Sequence, residues 1–167
     1  MPELVVHCIP YDAIGGVESA ARSLDSGDYS GFRFRKYFLA RKTPGAFLES
    51  LDLVGLYSSE NDSRNLLYAL LCLYRLNPRL LIASLWRSYF VLLVHKILHP
   101  GCKVVCFLHC EFTAHIVEYL VAWAAIAVSD EVWCDSKSTL NARLPTRWRN
   151  KSSVISFVLQ HADPVTQ

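Results

Sequence analysis

Apolar residues fall into short blocks, separated by polar turns that carry glycine or proline. Glu3 to Ile9 is an apolar run that predicts a first strand. Gly15 and Gly16 follow, and Val17 to Leu24 has apolar residues at helical spacing. The opening therefore reads as strand, glycine turn, helix. Phe32 to Leu39 alternates aromatic and basic residues, the pattern of a half-exposed strand. Leu51 to Leu56 reads as a weak third strand. Asn61 and Asp62 are candidate caps for a helix over Arg64 to Leu76, which Asn77-Pro78 stops. Leu80 to Ser84 predicts a strand, and Trp86 to Leu98 a helix closed by His99-Pro100-Gly101. Lys103 to Leu108 is a strongly β-prone run, and His115 to Val128 an alanine-rich helix. Glu131 to Cys134 is a short strand, Ser136 to Leu144 a helix stopped by Pro145, and Val154 to Leu159 the last strand.

Strands alternate with helices, and most of the strands are continuous apolar runs. This predicts an α/β domain with a mainly parallel sheet covered on both faces. The expected architecture is one Rossmann-like three-layer domain over residues 1–159. Residues 160–167 are polar and read as the start of an interdomain linker or tail.

Composition narrows the class. With 52% apolar and 19% charged residues the chain can build a core, which excludes a disordered or collagen-like protein. The longest stretch free of Asp, Glu, Lys and Arg is eleven residues, too short for the roughly 20 needed to cross a bilayer. Glu3 stands where a signal peptide would carry a base, so a cytoplasmic location is expected.

The net charge of +2 says little, but its distribution says more. No acidic residue lies between Asp62 and Glu111, where Arg64, Arg75, Arg79, Arg87, Lys96 and Lys103 occur. A second acid-free stretch, between Asp135 and Asp163, carries Lys137, Arg143, Arg147, Arg149 and Lys151. These are either solvated helix faces or a positive surface for anionic lipid or a phosphorylated ligand. No nucleic-acid partner is expected.

Of the six cysteines, Cys8, Cys106 and Cys134 lie inside apolar strand-like runs and Cys72 in a leucine-rich helix. Cys102, Cys106 and Cys110 recur every four residues. On an extended strand their side chains would stand about 13 Å apart at about 3.3 Å per residue, too far to share an ion. His95 and His99 have i, i+4 spacing without a third ligand in view, so no metal site is expected.

In an open parallel sheet, ligands bind beyond the carboxyl ends of the strands. After the first strand come Gly15 and Gly16, either a tight turn or a place where backbone approaches a phosphate at a helix start. After the Lys103–Leu108 strand come His109, Cys110 and Glu111. His109 is either a capping histidine or a hydrogen-bond donor to a sugar hydroxyl or a developing charge. Glu111 either orients it or faces water. Ser84 ends another strand and is followed by Trp86, a stacking platform or a core residue.

In this order the motifs resemble the N-terminal half of a retaining glycosyltransferase of the GT-B type, family 4. Gly15-Gly16-Val17-Glu18 matches the family's opening Gly-Gly-x-Glu. Asn77-Pro78-Arg79-Leu80-Leu81-Ile82 matches its Pro-Asp-led strand, with Arg79 replacing Asp. Val104 to His109 matches the β-run ending in His, with Cys110 where Asp is common. Ser129-Asp130-Glu131-Val132, followed by Ser136-Lys137, matches the family's Ala-Asp-x-Val and Ser-Lys segment.

The resemblance covers roughly residues 3–159 and implies an acceptor-binding half. It implies that Gly16 approaches the donor diphosphate and that His109 contacts the donor sugar as the catalytic residue. Glu18, Ser84, Trp86, Glu111 and Ser136 become acceptor-side or supporting candidates. The implied donor is a nucleotide sugar, with no other cofactor, and the implied acceptor a glycan or lipid-linked molecule. An anionic membrane surface is a further expected partner, so the expected location is peripheral, on the inner membrane face. A C-terminal donor-binding domain or partner subunit would be needed for activity, and without it an apolar cleft wall is expected to stand open. Two other readings stay open: a non-catalytic binding or scaffold module related to these enzymes, and another enzyme of the same fold, such as an epimerase.

Overall fold

A computed structural model describes residues 2–12, 16, 17, 21, 24–41, 50–57, 59 and 62–155. Its strands are β1 (Glu3–Tyr11), β2 (Gly27–Tyr29), β3 (Phe32–Ala40), β4 (Leu53–Val54), β5 (Leu80–Ser84), β6 (Lys103–Leu108), β7 (Glu131–Cys134) and β8 (Ser152–Val154). Its helices are α1 (Ser63–Leu76), α2 (Trp86–Leu98), α3 (Ile116–Val128) and α4 (Lys137–Arg143), and a 3-10 helix covers Thr146–Lys151. The sheet order is β2-β3-β1-β5-β6-β7-β8, with β4 beside β3. Every pairing is parallel except that of β2 with β3.

The helix ends follow from local chemistry. Asp62 caps α1, its carboxylate accepting from the Arg64 amide at 2.9 Å. Asn77 ends α1 in the left-handed region, at φ 46°, and Pro78 follows. His115 Nδ1 accepts from the Glu118 amide while Glu118 accepts from the Ala114 amide, a reciprocal cap on α3.

Period-2 alternation sorts each strand between two faces. Leu4, Val6 and Cys8 of β1 join Leu81, Ala83, Val104, Cys106 and Val132 on one face. Leu73, Leu92 and Ile126, one from each of α1, α2 and α3, pack onto it. The other face carries Val5, Ile9, Phe38, Ile82, Val105 and Phe107, with Ala21 packed on Ile9 and Phe38. This is the expected α/β, Rossmann-like sheet.

Some details differ from expectation. The strand expected over Leu51–Leu56 is only two residues long. β8 starts at Ser152 rather than Val154, and residues 156–159 lie outside the described set. Of the helix expected over Val17–Leu24, residues 17, 21 and 24 are described: 17 and 21 are helical, and Leu24 lies in a bend beyond the helix. β2 was not foreseen, because Gly27-Asp28-Tyr29 reads as a turn. β3 is not half-exposed: Lys36, Tyr37, Phe38, Leu39 and Ala40 are all fully buried. Both faces of the strand are covered: Tyr37 and Leu39 lie in the main core, Phe38 packs with Ile9 and Ala21, and Lys36 meets Asp52 3.8 Å away.

Candidate functional site

Strand order reverses between β1 and β5: β1 leads to β3 on one side, and β5 leads to β6, β7 and β8 on the other. Ligands of open parallel sheets sit beyond the strands' carboxyl ends at such a point. The residues there are Tyr11 at the end of β1 and Asp12 after it, Ser84 at the end of β5, His109 after β6 and Asp135 after β7.

Ser84 is fully buried and bridges two imidazoles. Its Oγ lies 2.7 Å from His7 Nε2 and 2.8 Å from His109 Nε2. A serine hydroxyl has one proton to donate and two lone pairs with which to accept. Ser84 can donate to one neutral ring while accepting the Nε2–H of the other, or accept from both rings. A ring that gains a proton therefore keeps its bond to Ser84, as a donor.

Burial drives both rings toward neutrality. Desolvation, with added repulsion from His109 and Lys36, pushes His7 down to about 3. Desolvation lowers His109 to about 4, against the opposing pull of Asp135. The His109 ring also lies 4.1 Å from the Phe107 ring, tilted 32° to it.

The backbone beside Ser84 is strained. Leu85 has φ 67° and ψ 155°, a region essentially reserved for glycine. This residue makes the sharp turn from β5 into α2, directly after the bridging serine. Strain of this kind persists where the surroundings over-determine it, and here it coincides with the switch point.

A polar string continues along the same sheet face. His7 pairs in register with Lys36, which lies 3.8 Å from Asp52 with both side chains fully buried. Ser26 donates to Asp52 at 2.6 Å and accepts from the Lys36 amide at 2.9 Å.

The structure brings Ser84 and His109 together. Gly16 lies in a helical turn at the surface, and a Cβ there would meet nothing within 4 Å among the described residues. Gly15 and Glu18 lie outside the described residues. Trp86 is half-buried, edge-on to His115 at 5.2 Å with the Arg87 guanidinium 4.5 Å over its ring. It packs against the main core. Glu111 is exposed and lines a cleft of about 460 Å³ with Tyr119, Trp123, Asn141 and Arg143. Ser136 caps α4, accepting from the Thr139 amide at 3.1 Å.

Sequence reading missed His7, Lys36, Asp12 and Asp135. His7 and Lys36 are polar residues inside apolar strand runs, and that interruption was the available signal. Asp12 is fully buried at the end of β1, and Asp135 Oδ1 is buried without a hydrogen-bond partner.

No protein-family model matches the chain, and a search of curated proteins finds no match. Solved structures do match. The Anabaena protein Alr3699/HepE, in complex with UDP-glucose, aligns with a TM-score of 0.65 at 14% identity, over 92% of this chain and 43% of that one. A putative UDP-N-acetylglucosamine 2-epimerase from Listeria monocytogenes aligns with a TM-score of 0.63 at 10% identity, over 86% and 42%. The lipopolysaccharide outer core galactosyltransferase WaaB aligns with a TM-score of 0.61 at 12% identity, over 92% and 45%. The chain thus has the fold of one half of a GT-B protein. It spans less than half the length of these neighbours.

Proposed function

We propose that this chain is the acceptor-binding half of a retaining glycosyltransferase. The enzyme would move a sugar from a nucleotide-sugar donor to a glycan or lipid-linked acceptor. The observation that carries this reading is His109, hydrogen-bonded to Ser84 at the switch-point end of β6 and kept neutral by burial. A neutral imidazole there gives a directional hydrogen bond to a sugar hydroxyl or to charge developing at the reacting centre. Asp135 sits close enough to favour a proton on His109 as that charge develops.

Gly16 supports the same reading. Its backbone is not left-handed, and among the described residues no neighbour crowds its Cβ position, so neither accounts for glycine there. Close approach of a diphosphate to a helix start would. Stabilisation of the departing nucleotide would fall to the half that this chain does not include. The solved neighbour holding UDP-glucose supports a nucleotide-sugar donor.

A second reading, a nucleotide-sugar epimerase, is favoured by the match to a named epimerase at a comparable TM-score. One assay separates them: the product of the whole locus is incubated with a panel of nucleotide sugars, with and without His109→Ala. Release of nucleoside diphosphate, falling roughly a hundredfold or more in the variant, supports transfer. Interconversion of the nucleotide sugar without release supports the epimerase. Neither activity in a folded protein supports a non-catalytic binding module.

A further inference from the structure

Twelve of the eighteen exposed large apolar side chains among the described residues lie on α1, α2 and α3. These helices lie side by side over one face of the sheet, α1 against α2 and α2 against α3. Each turns an apolar stripe outward: Leu71 and Tyr74 on α1, Phe90 and Ile97 on α2, Ile116 and Leu120 on α3. Ile97 is 77% exposed and Ile116 68%. Spacings of three, four and seven residues put each pair on one helix face. α3 has a single charged residue, Glu118, in thirteen. A helix apolar all round is normally buried on every side, yet this one has an open side.

Charge selects what covers it. α1 and α2 contain no acidic residue and carry Arg64, Arg75, Arg87 and Lys96, of which Arg64 and Lys96 are paired with Asp62 and Asp130. Exposed Arg147 and Arg149 flank α3, with the Arg147 guanidinium 4.7 Å over the Trp123 ring. A second copy would press two such basic faces together. An anionic bilayer supplies both an apolar layer and the opposite charge. No helix among the described residues is long and apolar enough to cross a membrane, so the contact would be with its surface.

We infer that the outer face of the α1–α2–α3 layer docks on an anionic lipid surface. This does not rest on the transferase reading, since none of the residues named on the face belongs to the His7–Ser84–His109 cluster. The test is co-sedimentation of the 167-residue chain with mixed phosphatidylcholine–phosphatidylglycerol vesicles and with pure phosphatidylcholine vesicles. Binding is expected to the mixed vesicles, to weaken with salt, and to be much poorer to the neutral ones. Ile97→Glu combined with Leu120→Glu should cut partitioning roughly tenfold or more, as should Arg75→Glu combined with Arg147→Glu. Leu56→Glu, at an exposed residue off this face, should leave it unchanged. Circular dichroism confirms that each variant is folded. Absence of binding by the folded parent overturns the inference, as does equal loss in Leu56→Glu. A dimer by light scattering that the Ile97→Glu and Leu120→Glu pair dissolves, without lipid binding, assigns the face to a second copy instead.

Discussion

Acid should destabilise this domain steeply, through its buried histidines. His7 is pushed to about 3, and His95 and His109 to about 4, in each case chiefly by burial. In the unfolded chain each would take up its proton near pH 6.5. Native pKa values below the unfolded value mean that the unfolded state binds more protons between about pH 6.5 and 4. Stability is therefore complete above that window and is lost as pH falls through it. Each ring contributes about 1.4 kcal/mol per pH unit inside the window, so three together give a slope of about 4 kcal/mol per pH unit. By pH 5 each has cost about 2 kcal/mol, together about 6 kcal/mol, comparable with the whole stability of an ordinary domain.

Urea unfolding at a series of pH values from 7.5 to 5 measures the slope (about three protons expected). His95→Met isolates one ring: His95 is 1% exposed, its Nε2 has no hydrogen-bond partner, and it lies away from the Ser84 cluster. That variant should lose about a third of the slope, roughly 1.4 kcal/mol per pH unit. A parent slope below one proton, or a His95→Met slope equal to the parent's, would refute the assignment of these rings as buried and neutral.

Other substitutions probe the site's surroundings. Leu85→Gly should raise stability by about 1–3 kcal/mol in urea unfolding, because glycine adopts φ 67° without strain; a loss of stability would show that the turn is not strained. Lys36→Met should cost about 3–5 kcal/mol by leaving the buried Asp52 without its cation, read as a lower midpoint at pH 7.5. Gly16→Ala should fold at least as stably as the parent, gaining up to about 1 kcal/mol, yet weaken donor use in the complete enzyme. Gly55→Ala should instead destabilise by about 1–3 kcal/mol, since its Cβ would collide with the Leu39 carbonyl oxygen and with Asn65 Oδ1. Thermal unfolding of the two glycine variants side by side checks both signs.

Much of this protein is legible along the chain. The order of elements, the bounds of α1, α2, β5, β6 and β7 and the parallel α/β class follow from apolar periodicity and from the stops at Asn77-Pro78, Pro100-Gly101 and Pro145. These are local signals, because helices and strands impose their periods over a few residues. Ser84 and His109 were also within reach, since each ends an apolar strand run.

Their meeting was decided elsewhere. His7 lies 77 residues from Ser84, and His109 lies 25. Only the order β1-β5-β6 and its register place all three on one face, and a one-residue slip in any pairing would turn one of them away. The same holds for Lys36, whose alternation with aromatic residues reads as the solvent side of a half-exposed strand until the fold buries it against Asp52. Composition counts the apolar residues but does not say which of them the core takes in. That Leu92 is buried while Ile97 faces outward on the same helix is settled by what α2 packs against. Periodicity is a property of the chain; contact between distant residues is a property of the sheet, and the candidate site is made of such contacts.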